Sequence, residues 1–314
     1  MKNSVIRFGS TAIVAIVLGK LGFLDYGYYI GNILGQVITV IHMSKFLPRL
    51  QMRNNRSEYI DVIKNNFDYI RYQMPASITV TLRTELPNLL ISGLFGNTML
   101  GYFSVSQKLL TIPVTFLGQA LGKVFFQRIA EMKRTGKQIG EFVERNINRG
   151  MLIALVPMSL LAAFGDAAIV LFFGEEYSIG GVICRIIVYR SLFNFISTAT
   201  QGIDIVLDRQ KYVLYTCLAQ TVLAVLSVFS GYYVFDSIYA TSVFLTGTFI
   251  FVQIVYFYKM YRVMQLNSWK YVRNMIFVMF GMFLVSTILR HIVIVILQSV
   301  PIEFFGILLR LFVM

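Results

Sequence analysis

The stretch KYVLYTCLAQTVLAVLSVFSGYYVFDSIYATSVFLTGTFIFVQIVYFYK, residues 211–259, holds one charged side chain, Asp236, between its terminal lysines. On each side of that aspartate lies an apolar run of more than 20 residues. About 20 apolar residues in a helix cross the hydrocarbon core of a bilayer. Asp236 needs water, so it marks a turn between two spans, and Lys211 and Lys259 mark the two ends on the opposite face. This hairpin reads as a membrane-crossing pair, and the rest of the chain repeats its pattern.

Over all 314 residues, 57% are hydrophobic and 14% charged, with a mean hydropathy of +0.69. A soluble domain carries roughly 25% charged residues, so this composition excludes a globule clothed in water. About ten candidate spans follow: 4–20, 25–43, 75–95, 98–122, 150–173, 180–204, 211–233, 237–258, 272–290 and 292–313. The first is short, and the last is interrupted by Pro301 and Glu303. The fold class is therefore all-α integral membrane.

The formal net charge of +13 is unevenly distributed. Residues 44–74 and 123–149 are long and basic, as are the connections holding Arg209 and Lys211, then Lys259, Arg262, Lys270 and Arg273. The intervening connections, near 21–24, 96–97, 174–179, 234–236 and 291, are short, and acids such as Glu175, Glu176 and Asp236 sit there. Basic and non-basic loops alternate, which by the positive-inside rule places the N-terminus and every second loop in the cytoplasm. No cleavable leader is expected, since the first apolar run lacks a small-residue cleavage site. Cys184 and Cys217 lie inside apolar runs, and His42 and His291 are far apart. Neither a disulfide framework nor a metal site is expected.

Within the basic loops, Ile60, Ile63, Phe67 and Ile70 recur at helical spacing, as do Ile139, Phe142, Val143 and Ile147. Each stripe is expected to lie in the headgroup plane or to pack beneath the bundle. The basic stretches are short, broken by acids and tied to the membrane at both ends, so nucleic acid is not an expected partner.

Charges inside spans are costly and mark interior faces or watery cavities. Among them are Arg83 and Glu85 in span three, Lys108 in span four, Arg185 and Arg190 in span six, and Arg310 near the end of span ten. Counting about 1.5 Å per residue puts Arg83, Lys108 and Arg190 near the midplane. Polar companions are Asn88, Gln107, Gln119, Asn194, Thr198 and Gln201. Spans three, four and six therefore read as cavity walls, and span nine as a peripheral helix. Two readings stand for the cations. Glu85, which shares no helix face with Arg83, pairs across helices with Lys108 or Arg190; or the surplus cations receive an anionic ligand, for which phosphate is the natural partner of Arg. Pro87, Pro113 and Pro157 lie inside spans and are expected to kink them.

The segment Gly96-Asn97-Thr98-Met99-Leu100-Gly101-Tyr102-Phe103-Ser104-Val105-Ser106-Gln107-Lys108-Leu109-Leu110, followed by Ile112-Pro113 and Val124-Phe125-Phe126, resembles the polysaccharide flippases. These export lipid-linked repeat units of O-antigen or capsule and share a superfamily with MATE-type multidrug exporters. Phe172-Phe173-Gly174-Glu175-Glu176-Tyr177, Leu207-Asp208-Arg209-Gln210-Lys211 and Pro75 also fit, whereas Gln127 stands where a proline is usual.

The resemblance implies two six-helix bundles forming a V around a cavity. On that pattern residues 1–43 are the last two helices of an incomplete N-terminal bundle, 44–74 a cytoplasmic amphipathic linker, 75–262 the second bundle and 263–314 two additional helices. About four helices are absent from the first bundle, so a truncated reading frame or a partner is expected. The implied activity is alternating access for a polyprenyl-pyrophosphate-linked oligosaccharide in the bacterial inner membrane, with no enzymatic step and no cofactor. Arg83, Lys108, Arg190 and Arg185 are then the anion contacts, and Glu85 a charge-balancing or coupling group. Expected partners are the lipid-linked substrate, the bilayer and other polysaccharide-assembly membrane proteins. The rivals are a MATE-like exporter of small cations, a flippase for a peptidoglycan precursor, a membrane glycosyltransferase or polymerase, and a non-transporting fragment.

Overall fold

In the computed structural model, the residues described are 2–20, 27–44, 64, 67, 71–72 and 74–299. Ile60, Ile63 and Ile70 of the first stripe, Arg310 and most of the expected tenth span lie outside them. The chain divides into two compact units, Met1–Lys64 and Asn65–Met314. In the first, helices α1 (Lys2–Lys20) and α2 (Gly27–Ser44) pack against each other. Gly31 permits the close approach, since a Cβ there would lie 2.9 Å from the Thr11 carbonyl oxygen.

The second unit is a helical bundle. Helix α3 covers Met74–Phe95 and α4 covers Asn97–Pro113. After Pro113 the chain takes a π-helical turn, Val114–Gly118, before α5, Gln119–Arg134. A proline cannot donate its backbone hydrogen bond, and the wider turn that follows accommodates the break. Then come α6 (Gly140–Phe173), α7 (Ser178–Ala199), the short α8 (Ile203–Val206), α9 (Gln210–Tyr233), α10 (Ile238–Val263) and α11 (Ser268–Ser299). Among the described residues, six helical stretches are long and apolar enough to cross a membrane: 97–134, 140–173, 175–199, 210–233, 238–263 and 268–295. Helix α3 matches them in length at 22 residues but carries Arg83, Glu85 and Asn88. The described residues thus form an all-α membrane protein.

The basic connection 123–149, expected to carry a helix, is mostly helix: α5 and α6 run through it, leaving 135–139 between them. Val143 and Ile147 are fully buried, so that stripe packs beneath the bundle and does not float in the headgroup plane. One expectation is corrected: the turn expected near 291 is absent, because α11 continues through it to Ser299. Nothing in Leu289–Ile292 breaks a helix, and one arginine does not interrupt a long apolar run.

Helices α3, α4, α7, α10 and α9 close a ring of successive contacts, with α6 behind α4 and α7, and α11 against α6 and α10. α7 is the central helix: 61% of its apolar window is buried, against 11% for α11. Small residues let α7 meet its neighbours. The Ser106 hydroxyl of α4 donates to the Gly180 carbonyl of α7 at 2.6 Å, and a Cβ on Gly122 of α5 would fall 2.3 Å from the Thr198 carbonyl oxygen. In lipid, where apolar burial between helices drives little, such close packing and polar contact hold a bundle together.

The same logic orients α9. Its buried stripe is Cys217, Gln220, Ala224, Ser227, Val228 and Gly231, while Leu218, Val222, Leu226 and Phe229 are exposed. A water-soluble helix would do the reverse. Helix α11 buries little, and polar ties fasten it to α6 at three heights: Lys270 to Glu144 at 2.8 Å, Asn274 to Asn148 at 3.3 Å and Arg290 to Asp166 at 2.7 Å.

Candidate functional site

The ring encloses a polar interior built by α3, α7, α9 and α10. Arg83 of α3 points inward, and one of its terminal nitrogens (Nη1) donates to the Gln220 side-chain oxygen of α9. Arg190 of α7 reaches the same place from the other side. Both guanidiniums lie over the ring of Phe249 of α10, Arg190 at 4.7 Å and Arg83 at 5.7 Å from its centroid. A cation over an aromatic face gains about 0.5–2 kcal/mol, more where water is excluded. No carboxylate pairs with either arginine among the described residues. Two like charges thus share one ring in the bundle interior, and the Arg83 Nε and Gln220 Nε2 atoms are buried without a partner. The gap between these side chains, bounded by Pro87, Ala224, Leu245 and Thr248, is only about 10 Å³. A single water needs about 10–15 Å³ of such space, so the gap is closed to a phosphate.

Arg83 also forms the inner end of a much larger cavity of about 420 Å³. Asn194, Thr198 and Gln201 of the α7 end line it, with Asp204 of α8, Thr216 and Cys217 of α9, and Gln253 and Tyr256 of α10. Gly202, at φ +82°, turns the chain between α7 and α8 and so sets Asp204 against the cavity. Asp204 and Gln253 are 8% and 5% exposed, and the Gln253 Oε1 and Ser197 Oγ atoms have no hydrogen-bond partner. Unmet polar groups beside an aromatic wall can receive hydroxyl-bearing or charged ligands; an unpaired buried polar atom costs about 1–3 kcal/mol.

Burial pushes the Asp204 carboxyl above its ordinary range, against the opposing pull of the Asp204 and Ile205 backbone amides. A raised folded-state value means that the folded protein holds the proton more tightly than the unfolded chain. The associated stability is fully present below the ordinary carboxylate value near 3.8 and is lost as pH rises through the raised folded value. Asp204→Asn removes that titration. Thermal unfolding in detergent is therefore expected to show the variant gaining on the wild type as pH rises from about 4 to 8. Parallel curves across that range would show that Asp204 is not penalised by burial.

The sequence-predicted residues divide. Arg83 and Arg190 come together; Asn194, Thr198 and Gln201 line the adjoining cavity. Lys108 is exposed on α4 and lines neither space. Glu85 is exposed and forms no ion pair among the described residues, so the interhelical pair with Lys108 or Arg190 is not made. Gln107 and Asn88 are half-buried and Gln119 exposed, outside both spaces. Arg185 sits at the far end of α7, 3.7 Å from Asp166. Pro87 is buried at the arginine pair, Pro113 precedes the π turn, and Pro157 lies within α6. Wall residues that escaped sequence reading include Asp204, Thr216, Gln220, Gln253 and Tyr256. Gln220 and Gln253 carried a usable signal, as isolated amides within apolar spans; Asp204 is the last residue of the expected span 180–204, where water is within reach.

The sequence matches the polysaccharide biosynthesis protein family over residues 1–179. It is also 27% identical over 115 residues to the capsular polysaccharide biosynthesis protein CapF of Staphylococcus aureus, an alignment covering 36% of this chain. The chain thus spans only 29% of that relative's length. No solved structure matches. The family match covers more than half of the chain and reaches the start of α7, so this membrane protein belongs to the polysaccharide biosynthesis protein family.

Proposed function

We propose that this chain moves a polyprenyl-pyrophosphate-linked oligosaccharide across the bacterial cytoplasmic membrane by alternating access. The observation that carries the reading is an arginine with no carboxylate partner among the described residues, Arg83, at the inner end of a polar cavity, with Arg190 behind it across Phe249. Arg83 meets the phosphates first. Asn194, Gln201, Asp204 and Gln253 take sugar hydroxyls, and Tyr256 offers an aromatic face to the sugar ring. The lipid tail stays in the bilayer. Because the arginine pair is tightly closed, full engagement of the phosphate requires α3 to separate from α7 and α10, with Pro87 weakening α3 at that level. The orientation with the basic helix ends in the cytoplasm follows from the positive-inside rule.

The test is reconstitution of the purified protein in liposomes with a fluorescent, short-chain polyprenyl-pyrophosphate oligosaccharide. Translocation, read as dye becoming inaccessible to an external quencher, is the expected result. Asp204 in the same cavity favours a second reading, export of a small organic cation. Efflux of such a cation without movement of the sugar lipid would replace the first reading with the second.

A further inference from the structure

Near the Gly174 end of the bundle, α6, α7 and α11 surround a second cavity of about 430 Å³, lined by Arg185, Tyr189, Ser286, Thr287 and Arg290 above an apolar floor that includes Phe283. Asp166 is the acid here. Its Oδ2 accepts from Arg290 Nη1 at 2.7 Å, and its Oδ1 accepts from the Ala167 amide at 2.9 Å. Arg185 is 3.7 Å from the same Oδ2, beyond hydrogen-bond reach, and its side chain is 41% exposed. Arg290 holds this carboxylate at closer range, and Arg185 is left outside hydrogen-bond reach of it. Asp166 lies seven residues before the end of α6, and Arg185 seven after the start of α7. Both are thus about 10 Å in from the helix ends, at about the depth where headgroups give way to acyl chains. The exposed apolar faces of Val182 and Phe283 flank the cavity and open it to lipid.

We propose that this cavity binds the headgroup phosphate of an anionic glycerophospholipid from the leaflet at the Gly174 end of the bundle. Arg185 grips the phosphodiester, Thr287 and Ser286 line the headgroup, and the acyl chains lie along α7 and α11. A planar guanidinium with open donors matches a phosphate, and basic pockets between membrane helices suit lipid headgroups. The site is separate from Arg83 and Arg190 and does not depend on the transport reading.

The test uses the full chain in detergent, titrated with phosphatidylglycerol and followed by native mass spectrometry. One retained phosphatidylglycerol is expected on the wild type. Arg185→Gln should weaken that retention about tenfold, the effect of one charge-assisted hydrogen bond, while Arg185→Lys keeps part of it. Thr287→Trp fills the cavity without touching Asp166 and should also expel the lipid, which guards against a folding defect in the Arg185 variants. Phosphatidylglycerol should raise the Tm of the wild type and not that of Arg185→Gln. Equal retention in wild type, Arg185→Gln and Thr287→Trp would overturn the proposal, leaving the arginine as a helix clamp. Displacement by millimolar inorganic phosphate would overturn the lipid assignment in favour of a free-anion site.

Discussion

Arg190→Glu is expected to abolish polysaccharide export while the protein still inserts at its normal level. The reason is local. Arg83 and Arg190 occupy one Phe249 ring, so a carboxylate at position 190 stands where it can pair with the Arg83 guanidinium. The bundle then gains a neutral interior pair, which favours insertion, and loses both cations that could receive a phosphate. Each charge-assisted hydrogen bond contributes roughly 1.5–3 kcal/mol, so losing two lowers substrate affinity by more than about 100-fold. The measurement is surface polysaccharide in cells that depend on this protein, beside its amount in the membrane fraction. Lys108→Glu, on the exposed side of α4, is the comparison and should reduce export far less. Normal polysaccharide with Arg190→Glu would remove the arginine pair from the mechanism.

Gly231→Ala is expected to cause the largest stability loss among single methyl additions. A Cβ at 231 would fall 2.1 Å from the Thr241 hydroxyl, 2.6 Å from its Cα and 2.7 Å from its backbone nitrogen. A flexible side chain could move aside, but the start of α10 cannot, because the Ser237 amide is tied to the Gly231 carbonyl at 3.1 Å. Overpacking of this kind costs about 1–3 kcal/mol, and backbone contact places it at the upper end. Gly247→Ala, with no atom within 4 Å of the added Cβ, should be neutral to within about 0.5 kcal/mol. Thermal unfolding of both variants in detergent decides the matter: equal melting would mean that α9 and α10 do not meet this closely.

Legibility in the sequence followed the physics of each signal. Spans were readable because lipid demands a long apolar run wherever a helix crosses. Ends were less so: α5, α6 and α11 extend past their apolar windows, since a helix already nucleated by its span continues into polar sequence at little cost. The cost of a buried charge singled out Arg83 and Arg190 as interior groups. The same rule named Lys108, Glu85 and Arg185, which the fold places elsewhere, because depth along a helix says nothing about azimuth.

The sequence by itself determined that this is a helical membrane protein and that cations outnumber acids within the expected spans. Each rests on transfer energies that depend on residue type and run length alone. Only the tertiary structure decided that Arg83 and Arg190 meet over Phe249, that Asp204 and not Glu85 is the acid of the cavity, and that Arg185 serves a separate site beside Asp166. Those pairings depend on helix rotation and on close approaches such as Gly122 to Thr198, which are set by shape between distant segments.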